Sequence, residues 1–272
     1  LIKFLALRIG DKRVIRLIIK WLKAGVMEGH QWQDDLRGVP QGAVVSPVLA
    51  NIYLHYVLDL WFHKQWRPKQ ASGETIIVRY ADDFVVGFQH KGDAERFLRD
   101  LKERLDKFAL ELHPDKTRLI EFGRFASANR QKRGLRRPET FDFLGFTHYC
   151  RTRRDGKFGL GRKPVAKRVV RTLKRIKEEL YRRINHDIYE VAAWLGQVAN
   201  GWLNYYAVPT SSRYLYRFMR RLQRLWLKVL RRRSQKDRFP WEKLGRVTTL
   251  FWPSTKIRHP WPSVRFAVKH SR

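Results

Sequence analysis

The stretch Thr75-Ile76-Ile77-Val78-Arg79-Tyr80-Ala81-Asp82-Asp83-Phe84-Val85-Val86-Gly87-Phe88 constrains the fold more than any other, because it joins two β-forming runs through adjacent aspartates. Ile76, Ile77 and Val78 lie on one side and Phe84, Val85 and Val86 on the other, residue types that suit a pleated, half-buried surface. Ala81-Asp82-Asp83 reads as a tight turn, since Asp tolerates unusual backbone angles and bonds to nearby amides. A hairpin here raises two carboxylates on a rigid tip, a geometry suited to holding a divalent metal by oxygen ligands. A solvated, Asp-rich turn satisfies the same residues equally well. The rest of the chain has to decide.

The 272 residues suffice for one large or two modest domains with sizeable cores. A hydrophobic fraction of 43% excludes a wholly disordered chain, and a formal net charge of +33 implies a polyanionic partner. Residues 1–150 hold 26 Lys and Arg against 18 Asp and Glu, net +8, whereas residues 151–272 hold 32 against 7, net +25. The polyanion is therefore expected mainly on the C-terminal part. Aromatic residues interleave with Arg there, which favours nucleic acid over a membrane, since bases stack on rings and guanidinium planes. Cys150 is the single cysteine, so there is no internal disulfide and no Cys-based zinc site, and a reducing, cytoplasmic compartment is expected. Residues 42–62 are the one stretch resembling a membrane span, but Asn51, His55 and Asp59 recur at four-residue spacing on one helical face. That is an amphipathic helix of a soluble protein. No signal peptide is present, and the chain opens in mid-helix, as a fragment with a missing start does.

Taken in order, residues 1–24 read as one helix, ended by Gly25, with a turn over residues 29–33. Gly38-Val39-Pro40-Gln41-Gly42 is a rigid loop with little side-chain bulk, where backbone can approach a ligand and the Gln41 amide can face a base or sugar. Gln41 can equally stiffen a turn. Ser46-Pro47 starts a helix running to about Phe62, with Ser46 as its cap. A polar loop over residues 64–74 leads to the aspartate hairpin, and a helix follows through Ala94, Leu98, Leu101, Leu105 and Phe108. Residues 110–122 read as a smaller hairpin around His113-Pro114-Asp115-Lys116-Thr117, residues 124–137 as a basic loop, and residues 140–146 as a short strand. After Gly161 three apolar stripes at helical spacing mark core-packing helices. The third carries Arg217, Arg220, Arg221, Arg224, Lys228 and Arg231 on its opposite side with almost no acidic partners, which points to nucleic-acid contact rather than a solvated face. The tail from Phe239 is rich in Trp and Pro and has little periodicity.

Gly38 to Gly42 through Ser46-Pro47 and Asn51, then Tyr80-Ala81-Asp82-Asp83, Lys116-Thr117 and Phe143-Leu144-Gly145-Phe146 occur in one order. This order resembles the palm of the group II intron-encoded reverse transcriptases, and residues 162–231, with Gly201-Trp202-Leu203-Asn204-Tyr205-Tyr206 between two helices, resemble their thumb and maturase region. The resemblance covers nearly the whole chain. It implies an α+β fold: a partial polymerase palm, an antiparallel sheet with helices, over residues 1–150, then an all-α thumb and maturase region over 151–272. It implies RNA-directed DNA synthesis with a two-ion Mg²⁺ site, copying intron RNA into DNA, and assistance to splicing. Asp82 matches the metal-binding aspartate and Asp83 its acidic neighbour; Tyr80 matches a residue near the primer terminus. Gln41, followed by Gly42, matches a contact to the incoming nucleotide, and Lys116 a lysine near the triphosphate, although a surface or salt-bridge role suits Lys116 as well.

The implied partners are intron RNA, a DNA target or primer, and deoxynucleotide triphosphates, with no membrane; a homodimer stays open. The family's third metal carboxylate, on an upstream strand, and its fingers are absent from this sequence, so weak polymerisation by this chain alone is expected. No Cys/His endonuclease cluster follows. Asp142, Asp34 and Asp35 read as solvated or capping residues, and none of the nine histidines pairs at a metal-like spacing. The rival reading is a non-catalytic RNA-binding splicing factor on a polymerase scaffold.

Overall fold

A computed structural model describes residues 1–23, 26–28, 31–33, 45–233, 239–262, 264 and 265, with backbone only for 26–28 and 31–33. It divides into two compact units, Leu1–Leu119 and Ile120–Arg272, so the division falls ahead of the charge shift at Cys150.

The first unit opens with two helices where periodicity predicts one, α1 (Ile2–Ala6) and α2 (Lys12–Lys23). The break has a local cause: Asp11 accepts a hydrogen bond from the Arg13 amide at 2.8 Å, as an N-capping carboxylate does. Strands β1 (Val26–Glu28) and β2 (Gln31–Gln33) pair antiparallel, so Gln31–Gln33 is strand rather than turn. A helical rod then runs unbroken over residues 46–70, from α3 (Ser46–Leu54) to α4 (Arg67–Gln70). Its N-cap is Val45 and not Ser46, and the expected loop from residue 64 is helical up to Gln70. Two segments of the rod, His55–Asp59 and Phe62–Trp66, are π-helical. In an α-helix a four-residue repeat drifts by about 40° per step. The wider i→i+5 turn reduces that drift and keeps Val57, Leu58, Phe62 and Trp66 turned into one core. Pro68 is tolerated because it stands at the start of α4, where its missing N–H coincides with the change of bonding pattern.

Strands β3 (Thr75–Tyr80) and β4 (Asp83–Phe88) form the expected hairpin, and α5 (Lys91–Asp106) follows. The inward side chains Ile77, Phe84, Val86 and Phe88 pack with Phe97, Leu101 and Leu105 of α5 against the rod. Trp66 meets Phe97 edge-on at 4.9 Å and donates from Nε1 to Asp100 at 2.9 Å. Asp93, fully buried in the first turn of α5, accepts from Ser72 Oγ and from the Ser72 and Gly73 amides at 2.8, 2.9 and 3.1 Å, with Arg96 beside it. Burial opposes its charged form, yet these bonds and Arg96 outweigh it and hold the carboxyl below its ordinary value.

No strands form over residues 110–122. The turn is real, with the Lys116 and Thr117 amides bonding to the His113 carbonyl. Its two arms pack apart: Leu110 and Leu112 join the first unit's core, while Phe122 meets Phe141 edge-on at 5.1 Å in the second unit.

In the second unit the expected basic loop contains a short helix, α6 (Ala126–Lys132). The expected single strand is two, β5 (Phe141–Phe143) and β6 (Phe146–Thr152), joined by Leu144 and Gly145 at φ 48° and 77°. With β7 (Phe158–Pro164) they form a sheet of order β5-β6-β7, so the region after residue 151 opens on sheet before it turns helical. Helices α7 (Ala166–Arg182), α8 (Ile188–Tyr206), α9 (Ser212–Leu230) and α10 (Trp241–Phe251) follow. The apolar stripes of α7, α8 and α9 meet in one core, in which Trp202 stacks on Phe218 at 3.8 Å. Gly201–Tyr206 is the last turn and a half of α8 rather than a link between helices. The tail reads as aperiodic, yet α10 buries Leu244, Val247 and Thr248. Gly196 lets α10 approach α8, because a β-carbon there would stand 2.3 Å from the Phe251 carbonyl oxygen. Among the described residues no helix is long and apolar enough to cross a membrane.

Candidate active site and nucleic-acid surface

In β3, Thr75, Ile77 and Arg79 turn inward while Ile76, Val78 and Tyr80 face out, the period-two alternation of a strand. Tyr80 pairs with Asp83 across a two-residue turn of Ala81 and Asp82. Ala81 takes a left-handed φ of 54°, which its β-carbon makes costly by about 1–2 kcal/mol. Beyond this turn Tyr80 is 66% exposed, and Asp82 and Asp83 are exposed as well.

Arg79 braces that turn from below. Its Nε and Nη2 donate to the two Asp59 carboxylate oxygens at 2.8 and 2.6 Å, and its Nη1 donates to Asn51 Oδ1 and to the Ala81 carbonyl, both at 2.8 Å. Asn51 is itself fixed by donating from Nδ2 to the Pro47 carbonyl at 2.9 Å, and His55 Nδ1 lies 3.5 Å from Asp59. The bond to Asp59 pushes Arg79 above its already high pKa, against the effect of burial. The polar face Asn51, His55 and Asp59, visible in the sequence, is therefore the anchor of the aspartate hairpin. Nothing in the sequence pairs Arg79 with it.

The structure thus brings Tyr80, Asp82 and Asp83 together at one tip. Lys116 is exposed in the His113–Thr117 turn of the same unit. Gln41 and Gly42 lie outside the described residues. Among the described residues no group of three or more His, Cys, Asp or Glu side chains could hold a metal ion. Two exposed carboxylates are nevertheless the hard oxygen donors that Mg²⁺ takes, since it commonly binds one or two carboxylates and completes its shell with water and substrate phosphates. The donor set fits that ion.

On α9, Leu215, Phe218, Leu222 and Val229 are buried, and Arg217, Arg220, Arg221, Arg224 and Lys228, with Arg231 at its C-cap, are all exposed. None of the six forms an ion pair with an acidic side chain among the described residues. Arg220 donates to the Tyr216 hydroxyl at 3.2 Å, and Arg231 to the Phe239 carbonyl at 3.3 Å. Their charges stay uncompensated, which leaves them available to phosphates. Asp142 accepts from the Thr147 hydroxyl at 2.6 Å across β5 and β6, a sheet contact. Sequence reasoning also missed the packing of the Phe143–Phe146 turn on α8: Tyr205 donates its hydroxyl to the Leu144 carbonyl at 2.7 Å and stacks on Phe146.

The pattern of the family described as reverse transcriptase (RNA-dependent DNA polymerase) matches residues 2–148, and that of the group II intron maturase-specific domain matches residues 168–246. The group II intron-encoded protein LtrA of Lactococcus lactis subsp. cremoris is 38% identical over 82 residues, covering 30% of this chain and 14% of LtrA. An uncharacterized 91 kDa protein in the cob intron of Schizosaccharomyces pombe is 51% identical over 130 residues, 46% of this chain and 16% of that protein. Protein YkfC of Escherichia coli is 31% identical over 150 residues, 44% of this chain and 38% of YkfC. The matches thus span well under half the length of these relatives. The first pattern contains the aspartate hairpin, spans more than half of the chain and is followed by the second, which contains the α9 stripe; the chain therefore belongs to the reverse transcriptase family and carries the group II intron maturase domain.

Proposed function

We propose that this chain is the palm, thumb and maturase portion of a group II intron reverse transcriptase, with palm residues in 1–150 and thumb and maturase residues in 151–272. In this reading it takes part in copying intron RNA into DNA and in assisting intron splicing. The observation that carries the reading is the braced tip: two exposed carboxylates at the end of the hairpin, held by Arg79 to the helical rod, inside the segment that matches the polymerase pattern.

Asp82 and Asp83 hold Mg²⁺ in this proposal. Bound there, Mg²⁺ would supply positive charge to stabilise the oxygens of a phosphoryl transfer. The chain's own residues bind and orient. Tyr80 offers an exposed ring beside the carboxylates to the primer terminus. Gln41 and Gly42 contact the incoming deoxynucleotide, and Lys116 brings a positive charge to its triphosphate. The six cations of α9 hold the phosphates of intron RNA.

The test is incorporation of a labelled deoxynucleotide into a DNA primer on an RNA template, with Mg²⁺ present or replaced by chelator. Mg²⁺-dependent extension supports the proposal. A protein that spans the full length of the family, binds RNA tightly and never extends the primer is the splicing factor of the rival reading.

A further inference from the structure

The sheet of the second unit carries a face that none of these roles uses. The register sets Tyr149 opposite Gly161 and Arg151 opposite Gly159, so these four residues share one face of the β6–β7 ribbon. Both β7 positions are glycine, and both are overlain from β6. A β-carbon on Gly161 would stand 2.3 Å from the Tyr149 ring, and one on Gly159 would stand 2.9 Å from the Arg153 stem and 3.4 Å from that of Arg151. The glycines thus let long side chains lie flat across the ribbon. Lys163, on the same face, places its ammonium 5.8 Å from the Tyr149 ring centroid. At the tip Arg153, Arg154 and Lys157 are exposed, and the nearby acid, Asp155, is taken up by Arg153 at 3.1 Å.

Tyr149 connects this face to α9. The Arg162 amide of β7 donates to Thr210 Oγ1, just ahead of α9, at 3.0 Å, and burial and then Tyr214, in the first turn of α9, push the Tyr149 phenol up, while Arg151 and Arg213 act the other way. The Arg217 guanidinium lies 6.0 Å from the Tyr214 ring. The ribbon's cations therefore run through two tyrosines into the first cation of the α9 stripe.

We propose that the β6–β7 ribbon is a second RNA-contacting surface, continuous with the α9 stripe, in which Arg151, Arg153 and Lys163 meet phosphates and Tyr149 and Tyr214 present hydroxyls to the ribose. It rests on the reading of α9 as an RNA-binding helix. Charge complementarity selects a polyanion, and the hydroxyl pair within the cationic row selects RNA, whose 2′-hydroxyls can donate to it and accept from it.

The experiment measures binding of the whole chain to a long RNA hairpin, and to a DNA hairpin of the same sequence, across a salt series. Arg151→Gln/Arg153→Gln is expected to weaken RNA binding roughly tenfold or more and to shrink the slope of log K against log salt by about 1.8, two phosphate contacts' worth. Arg151→Lys/Arg153→Lys keeps the slope. Asp155→Lys, which adds a charge at the exposed tip, steepens it and serves where the glutamine pair lowers the melting temperature. An unchanged slope and affinity in the glutamine pair overturns the ribbon assignment. DNA bound as tightly as RNA overturns the choice of partner. If Arg220→Gln/Arg224→Gln weakens binding and the ribbon variants do not, α9 stands and the ribbon falls; if neither weakens it, both fall.

Discussion

Both carboxylate oxygens of Asp59 accept hydrogen bonds from Arg79, at 2.8 and 2.6 Å, and the same guanidinium holds the carbonyl of Ala81 at the strained turn. One side chain therefore ties the aspartate-bearing tip to the helical rod. A left-handed alanine persists only where its surroundings over-determine it, and this clamp supplies that constraint.

Breaking the clamp is expected to cost stability and to loosen the tip. Arg79→Ala strips the half-buried Asp59 carboxylate of its two guanidinium bonds, leaving only His55 beside it, and should destabilise the first unit by about 1–3 kcal/mol in denaturant melts. Asp59→Ala should cost a similar amount, and the double variant less than the two together, with a coupling of about 0.5–3 kcal/mol. Additive losses would show that the two residues act independently.

The α8–α10 contact depends on a missing side chain. Gly196→Ala places a methyl group 2.3 Å from the Phe251 carbonyl oxygen, so backbone must shift. The expected loss is about 1–3 kcal/mol, as for an overpacked core. A melting temperature equal to that of the parent would mean that α10 does not rest on α8 in solution.

Asp93 sets part of the acid limb of stability. Its carboxyl is held below the ordinary value of 3.8, so the folded state binds fewer protons than the unfolded chain over that interval. The contribution is complete above pH 3.8 and is lost as pH falls through the lowered folded value. Asp93→Asn should be less stable than the parent near neutrality and should lose less on acidification. Parallel stability curves for the two proteins through that range would refute the assignment.

The α9 stripe predicts a salt signature of its own. Arg220→Gln/Arg224→Gln should reduce the slope of log K against log salt for RNA by about 1.8. Their exposed positions predict an unchanged melting temperature, so binding and folding separate cleanly. Filter binding at several salt concentrations reads the slope.

Much of the scaffold is legible in the sequence, and what is not has physical reasons. The aspartate hairpin and the stripes of α7, α8 and α9 show because strand propensity and helical spacing are local properties. The end of the rod over residues 64–70 does not, since Pro68 and the polar residues around it imitate a loop while Trp66 is fixed by tertiary packing. The arms of the 110–122 segment have strand-like residues, but each finds a better partner in a different core than in the other arm. In α10 the spacing of Leu244, Val247 and Thr248 is helical, hidden by the Trp and Pro around it. Of the site, the two carboxylates and the six α9 cations are read directly. Arg79 is not, because its partners are chosen by the approach of a strand to a helix twenty residues earlier in the chain.

The central claim, that the hairpin tip is a polymerase metal site, is tested most directly by Asp82→Ala in the protein that extends a primer on RNA. Primer extension on RNA should be abolished while RNA binding and melting temperature stay at the parent's values. Extension at near the parent's rate would contradict the account and remove Asp82 from the chemistry.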